Sequence, residues 1–200
     1  MPTLYLIPTL LADDTAELVL PPHIRNVIEK TDAYFVENVR TARRFITGLK
    51  TSRVIDETTF FDLNKDTPPA DTRRQIQELM ERKRNAGVLS EAGCPGVADP
   101  GAVVVGMAHT LGWRVEPLVG PSSILLALMA SGLNGQSFVF HGYLPIEKAT
   151  APVPSGFWTR KLRRGSRLRF SWKRLTATMR SLPTSCSTRR ATPACALPAT

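Results

Sequence analysis

The chain has 200 residues, 42% of them apolar, and a formal net charge of +9, which is length enough for one large domain or two small ones. No apolar run approaches the roughly 20 residues needed to cross a bilayer, and no basic segment leads into an apolar signal core at the N-terminus, so a cytoplasmic protein without a membrane partner is expected. Three cysteines, Cys94, Cys186 and Cys195, match neither a disulfide framework nor a metal-ligand spacing, which predicts reduced thiols and no metal site.

The charge is unevenly placed. Residues 151–200 hold 11 of the 26 Lys and Arg and none of the 17 Asp and Glu, so the first 150 residues are slightly acidic. All of the positive balance sits in the last quarter of the chain, and a pI for the whole describes no single folded unit.

Taken in chain order, residues 1–150 alternate short apolar runs with amphipathic stretches. Thr3 to Ile7 reads as a buried strand, and Pro21-Pro22 opens a helix with Ile24, Val27 and Ile28 on one face. Ala33 to Glu37 is a second strand and Thr41 to Leu49 a helix. Thr59 to Leu63 is a third strand, and Pro68-Pro69 starts a long helix with Ile76, Leu79 and Met80 inward. Gly87 to Leu89 is a fourth strand, followed after a loop by a helix over Ala102 to Leu111. Trp113 to Leu118 is a fifth strand, and Ile124 to Ala130 an apolar helix. After a flexible link at Ser131 to Gly135, Ser137 to Phe140 begins another strand. Strict alternation of this kind predicts an α/β fold with a mostly parallel sheet flanked by helices, and ligands beyond the carboxyl ends of the strands.

Three unusual loops follow predicted strands: Pro8-Thr9, Ser90 to Gly101, and Gly120-Pro-Ser-Ser123. The second packs three glycines and two prolines into twelve residues. Glycine permits positive φ and lets backbone approach a ligand, and proline stiffens the loop while removing a donor. All three loops are expected on one edge of the sheet. Cys94 reads as a small buried thiol rather than a nucleophile, since no motif pairs it with a histidine. Asp99 suits a cap for the following helix as well as a ligand contact. His23 and His109 read as helix-surface residues, His141 as structural, and Arg40, Arg43 and Arg44 as either a solvated helix face or a substrate contact.

Five segments in order, Thr3-Leu-Tyr-Leu-Ile-Pro8, Ser90-Glu-Ala-Gly-Cys-Pro-Gly-Val-Ala-Asp-Pro-Gly101, Gly120-Pro-Ser-Ser123, Ala130-Ser-Gly-Leu133 and Phe140-His-Gly-Tyr-Leu-Pro145, resemble the tetrapyrrole methylase superfamily of S-adenosylmethionine-dependent methyltransferases. Within it they most resemble the branch that 2′-O-methylates a ribose of small-subunit ribosomal RNA. The resemblance implies two α/β domains with S-adenosylmethionine folded between them, a homodimer, and ribosomal RNA or the small subunit as partner. It places Pro8, Gly93, Cys94, Val97, Ser122 and Ser123 at the cofactor, and makes Glu37 and Arg40 candidates on the substrate side; the catalytic group itself is left open. The chain departs from that branch at Asn38 and Val39, where an Asp-Thr-Arg segment is expected, and after Pro8, where a Gly-Asn pair is missing. Methylation of a tetrapyrrole or another small molecule is the alternative within the enzyme class.

The domain organisation so implied is an N-terminal domain over 1–119, the start of an incomplete second α/β domain over 120–150, and a basic tail over 151–200. That tail reads as disordered or as a frameshift product, which would leave the truncated chain inactive. The family carries Glu-Thr-Pro-Tyr-Arg-Asn in its second domain, and codons for Phe170 to Met179 can be chosen so that reading from each third base yields this motif. Trp172 followed by Lys173 gives Glu in that frame whatever codons are used. The competing reading is a non-enzymatic RNA-binding protein whose Trp158, Phe170 and Trp172 stack on bases among arginines. Independent sequencing of the gene around codons 148 to 160 is expected to reveal a break in the frame; an uninterrupted frame sinks the frameshift reading.

Overall fold

A computed structural model describes residues 1–132 and 135–140 and the backbone of 168–170. The chain divides into two compact units, Met1–Leu133 and Asn134–Thr200. In the first unit the strands are β1 (Thr3–Ile7), β2 (Ala33–Val36), β3 (Thr59–Asp62), β4 (Ala86–Leu89) and β5 (Arg114–Pro117). The helices are α1 (Ala16–Val19), α2 (His23–Lys30), α3 (Val39–Gly48), α4 (Pro69–Glu81), α5 (Gly101–Thr110) and α6 (Ser123–Ala130).

The five strands form one parallel sheet in the order β3-β2-β4-β1-β5. The register aligns Leu4 with Ala86 and Ile7 with Leu89, and Val36 with both Leu89 and Asp62. The carboxyl ends of the strands are therefore level. As expected from the alternation, helices cover both faces, because successive side chains of a strand point to opposite sides. Leu4, Ala33, Phe35, Ala86 and Val88 meet Ile76 and Leu79 of α4, Val104 and Ala108 of α5, and Trp113. Ile7, Tyr34, Val36 and Leu89 meet Ile24, Val27 and Ile28 of α2 and Ala42 and Ile46 of α3.

Local chemistry explains where the helices begin and how they lie. Pro22 precedes α2 and Pro69 is its own helix's first residue, a place where a missing N–H costs nothing. Asn38 caps α3, its Oδ1 accepting from Arg40 N at 2.9 Å and Thr41 N at 3.4 Å. The single turn α1, whose four residues include none that is buried, carries too few apolar positions to register as a helical period. The apolar helix α6 is different: its Ile124 and Leu128 are buried, yet Leu125 and Met129 are 51% and 76% exposed.

Gly87 sits at the middle of the sheet. A Cβ there would lie 2.7 and 2.8 Å from the Tyr34 ring and 2.9 Å from Ile7 Cδ1. The space belongs to Tyr34, which is fully buried and donates to the carbonyls of Thr31 at 2.9 Å and Ile28 at 3.1 Å. Burial also pushes its phenol well above the ordinary tyrosine value.

The second unit shows a parallel pair, β6 (Phe138–Phe140) with β7 (Leu168–Phe170). The strand expected at Ser137 to Phe140 is thus present over its last three residues. Leu168–Phe170 falls within the stretch read as a disordered or frameshifted tail; the rest of that stretch, His141, Trp158 and Trp172 lie outside the described residues.

Gly87→Ala is expected to destabilise the first unit by about 1–3 kcal/mol, the cost of overpacking a dense core, read as a lower urea midpoint with an unchanged slope. Tyr34→Phe should cost about 1–2 kcal/mol by removing the O–H shared between the Thr31 and Ile28 carbonyls, of which only Ile28 O keeps the Thr31 N–H.

Candidate functional site

The three loops gather at the carboxyl edge of the sheet. Pro8, directly after β1, is buried against Gly120, after β5: a Cβ on Gly120 would stand 2.2 Å from both Cβ and Cγ of Pro8. Thr9 N donates to Gly93 O at 2.9 Å, and Thr9 Oγ1 to Ser90 O at 3.1 Å. Ser90 Oγ also donates to Gly93 O at 3.0 Å. Cys94 Sγ points to Pro121 O at 3.3 Å and Gly120 O at 3.7 Å. Exits from β1, β4 and β5 are thus fastened to one another.

Within the Ser90 to Gly101 loop, Gly93 and Gly96 have φ of +77° and +83°, and Ala98 has +61°. For glycine that conformation is free, whereas for Ala98 it costs about 1 kcal/mol or more. Asp99 holds the turn around Ala98, its Oδ1 accepting from Gly96 N and from Gly101 N, each at 2.8 Å. Gly101 begins α5, so Asp99 does bond the first N–H of that helix. Its other oxygen, Oδ2, is buried without a hydrogen-bond partner among the described residues. Nothing lies within 4 Å of where a Gly96 Cβ would be.

Of the residues expected at a cofactor, Pro8, Gly93 and Cys94 come together with Gly120 and Pro121, which lead into Ser122 and Ser123. Ser122 caps α6 by accepting from Leu125 N at 3.4 Å, and Ser123 is that helix's first residue. Val97 is 51% exposed at the loop's outer turn. On the substrate side, half-buried Glu37 follows β2, and its Oε1 accepts from Glu91 N at 3.3 Å. Glu91 in turn accepts from Thr41 Oγ1 at 2.6 Å, which ties the loop to the first turn of α3. Arg40 stands exposed in that turn.

The residues that sequence reasoning passed over are Thr9, Thr41, Glu91 and Gly120 as a contact to Pro8. Their contacts span 50 to 112 residues of sequence, and no local spacing announces such pairs. Two signals were present, a threonine directly after Pro8 and a glycine before Pro121.

Burial pushes the Glu37 carboxyl up; the Glu91 N–H opposes this, and the charges of Asp99 and Glu91 add to it. Burial also raises Asp99 against the pull of its two N–H donors, and raises the Cys94 thiol, which keeps the sulfur neutral and unreactive. The edge therefore offers close backbone, an unsatisfied carboxylate oxygen, open space at Gly96 and a capped helix start. Those groups fit a polar, zwitterionic ligand carrying hydroxyls and an amine.

A wholly parallel sheet whose carboxyl edge collects such loops is the architecture of an α/β ligand-binding domain. No family model matches the chain. It is similar to the ribosomal RNA small subunit methyltransferase I of Buchnera aphidicola subsp. Acyrthosiphon pisum, at 30% identity over 124 residues, 61% of this chain and 41% of that relative. With the enzyme of the same name from Bacillus subtilis it shares 30% over 153 residues, 74% of this chain and 48% of the relative. With that of Mesorhizobium japonicum it shares 47% over 64 residues, 32% and 22% of the two. The chain thus spans less than half the length of these relatives. Among the described residues no helix is long and apolar enough to cross a membrane.

Gly120→Ala is expected to force β1 and β5 apart at their exits and weaken ligand binding at this edge more than it lowers the urea midpoint. Because Glu37 and Asp99 have folded-state values above their unfolded ones, the folded chain holds these protons more tightly. The stability they contribute is full in acid and declines as pH rises through the carboxylate range. Glu37→Gln should therefore flatten the fall in urea midpoint measured from about pH 4 upward.

Proposed function

We propose that the carboxyl edge binds S-adenosylmethionine and that the protein belongs to an enzyme transferring methyl to a ribose 2′-hydroxyl of small-subunit ribosomal RNA. The observation that carries this reading is the fastening of Pro8 to Gly120, Thr9 to Gly93 and Cys94 to Pro121, which makes one cradle from three strand exits. The names of the relatives support RNA as the acceptor.

The cofactor supplies a methyl group activated on a sulfonium, so the protein needs to contribute alignment more than acid or base chemistry. Backbone at Gly93 and Gly96 and the start of α6 at Ser122 and Ser123 would hold the ligand's polar groups. Asp99, whose Oδ1 accepts from Gly96 N and Gly101 N, would hold the loop in the shape that presents this backbone. Glu37, beside the loop and with its carboxyl pushed up by burial, would accept a hydrogen bond from the acceptor hydroxyl and orient it. Arg40 would meet an RNA phosphate.

In the same reading, residues 120–150 open a second α/β domain and residues 151–200 are out of frame. The Bacillus subtilis match covers 74% of this chain, and the acid-free quarter is what remains in size. A cytoplasmic homodimer is the expected state of the intact enzyme.

Calorimetry with S-adenosylmethionine and with its demethylated product is expected to show heat of binding for both. With labelled methyl donor and small-subunit RNA, transferred methyl should render the neighbouring phosphodiester resistant to alkali, the mark of a blocked 2′-hydroxyl. Binding without transfer in this chain, restored when the gene is read in the alternative frame, would support the out-of-frame assignment. Absence of heat with either ligand on folded protein, or label on a base, overturns the proposal.

A further inference from the structure

The outer face of α3 is chemically unlike the rest of the first unit. Ten residues carry Arg40, Arg43 and Arg44 and no acid, and all three arginines are exposed. Arg25, Arg74, Arg84 and Arg114 are each paired with a carboxylate, to Glu17, Asp71, Asp32 and Glu116 respectively, whereas Arg53, Arg73 and Arg82 have no ion pair among the described residues. None of the α3 arginines has an ion pair among the described residues. The acids beside α3 are Glu37 just before it, Glu91 on Thr41, and Asp56, Glu57 and Asp62 at its neighbouring elements, and none of them forms an ion pair with these arginines among the described residues.

Two further observations give the three charges a direction and a place. The Arg43 guanidinium lies 5.5 Å over the Phe60 ring, which holds it in position without neutralising it. Thr41, one residue from Arg40, bonds Glu91 of the site loop at 2.6 Å, so the row of arginines starts at the rim of the candidate site. Arg40 and Arg44 are one turn apart, about 6 Å along the axis, close to the separation of successive phosphates in an extended single strand.

We propose that Arg40, Arg43 and Arg44 form a phosphate-binding strip that holds the backbone of an RNA chain against α3 and leads it to the site. This deepens the reading above and rests on it for the identity of the partner. Exposed, unpaired cations also occur at Arg73, Arg82 and Lys83; what sets the α3 arginines apart is an acid-free helix whose first turn is bonded to the site loop.

The test compares the full chain with two charge-matched variants, using a short fluorescein-labelled RNA of mixed sequence titrated at several salt concentrations. One variant replaces Arg40, Arg43 and Arg44 by Gln; the other replaces Arg73, Arg82 and Lys83, which are exposed on and just after α4, across the sheet. The α3 variant should bind roughly tenfold more weakly and lose about two units of slope in log affinity against log salt, while the α4 variant changes little. Equal losses from both variants, or none from the α3 variant, overturn the proposal, the second outcome assigning RNA binding to residues 151–200. Urea midpoints check folding, and the single Arg44→Gln, with a loss of about one unit of slope, keeps the test readable if the triple variant unfolds. Calorimetry with S-adenosylmethionine on the same proteins separates the two ideas: missing heat sinks the methyltransferase reading and leaves the RNA titration to decide the strip.

Discussion

The close approach of Gly120 to Pro8 governs the arrangement of everything at the carboxyl edge. A side chain at residue 120 has nowhere to go, since its first carbon would overlap the Pro8 ring. With only hydrogen there, the exit of β5 lies against the exit of β1, and Pro121 O comes within reach of Cys94. The Ser90 to Gly101 loop is then trapped between Thr9 on one side and Pro121 on the other. Backbone carbonyls and amides that would face water in a wider cleft are brought close around a small volume, which is what a small polar ligand requires.

That compact edge has a second, electrostatic consequence. Glu37, Glu91 and Asp99 share one neighbourhood, and burial makes the negative charges of Glu37 and Asp99 costlier than in water. The chain moderates this with backbone N–H groups: two on Asp99 Oδ1 and one on Glu37 Oε1. The positive charge of α3 begins one helical turn away instead of inside the cluster.

Much of this fold was legible from sequence because period and punctuation agreed. Ile24, Val27 and Ile28 mark the buried stripe of α2 in any helical reading, and Pro68-Pro69 announces α4 before its apolar face begins. Strand ends differed by a residue or so, as at Glu37, whose side chain bonds Glu91 N although the ladder stops at Val36. The order β3-β2-β4-β1-β5 could not be read that way, since every neighbour of β1 is distant in sequence. For the site, glycine and proline density located the loops, and the requirement that they follow strands placed them on one edge. What stayed hidden were the partners made by tertiary contact: Thr41 with Glu91, Thr9 with Gly93, and the role of Gly87, whose missing side chain is explained only once Tyr34 is seen lying across it.

The strand order also sets a schedule for the chain as it is synthesised. β1 leaves the ribosome first, yet its two neighbours are β4 and β5, the latter ending at Pro117. One edge must wait for β4 at Ala86–Leu89 and the other for β5 at Arg114–Pro117, and contacts of such separation make the sheet slow to close. Nothing beyond Leu133 belongs to that first unit. A reading frame lost near residue 150 would therefore be felt only after every strand of the sheet, the last ending at Pro117, had already emerged.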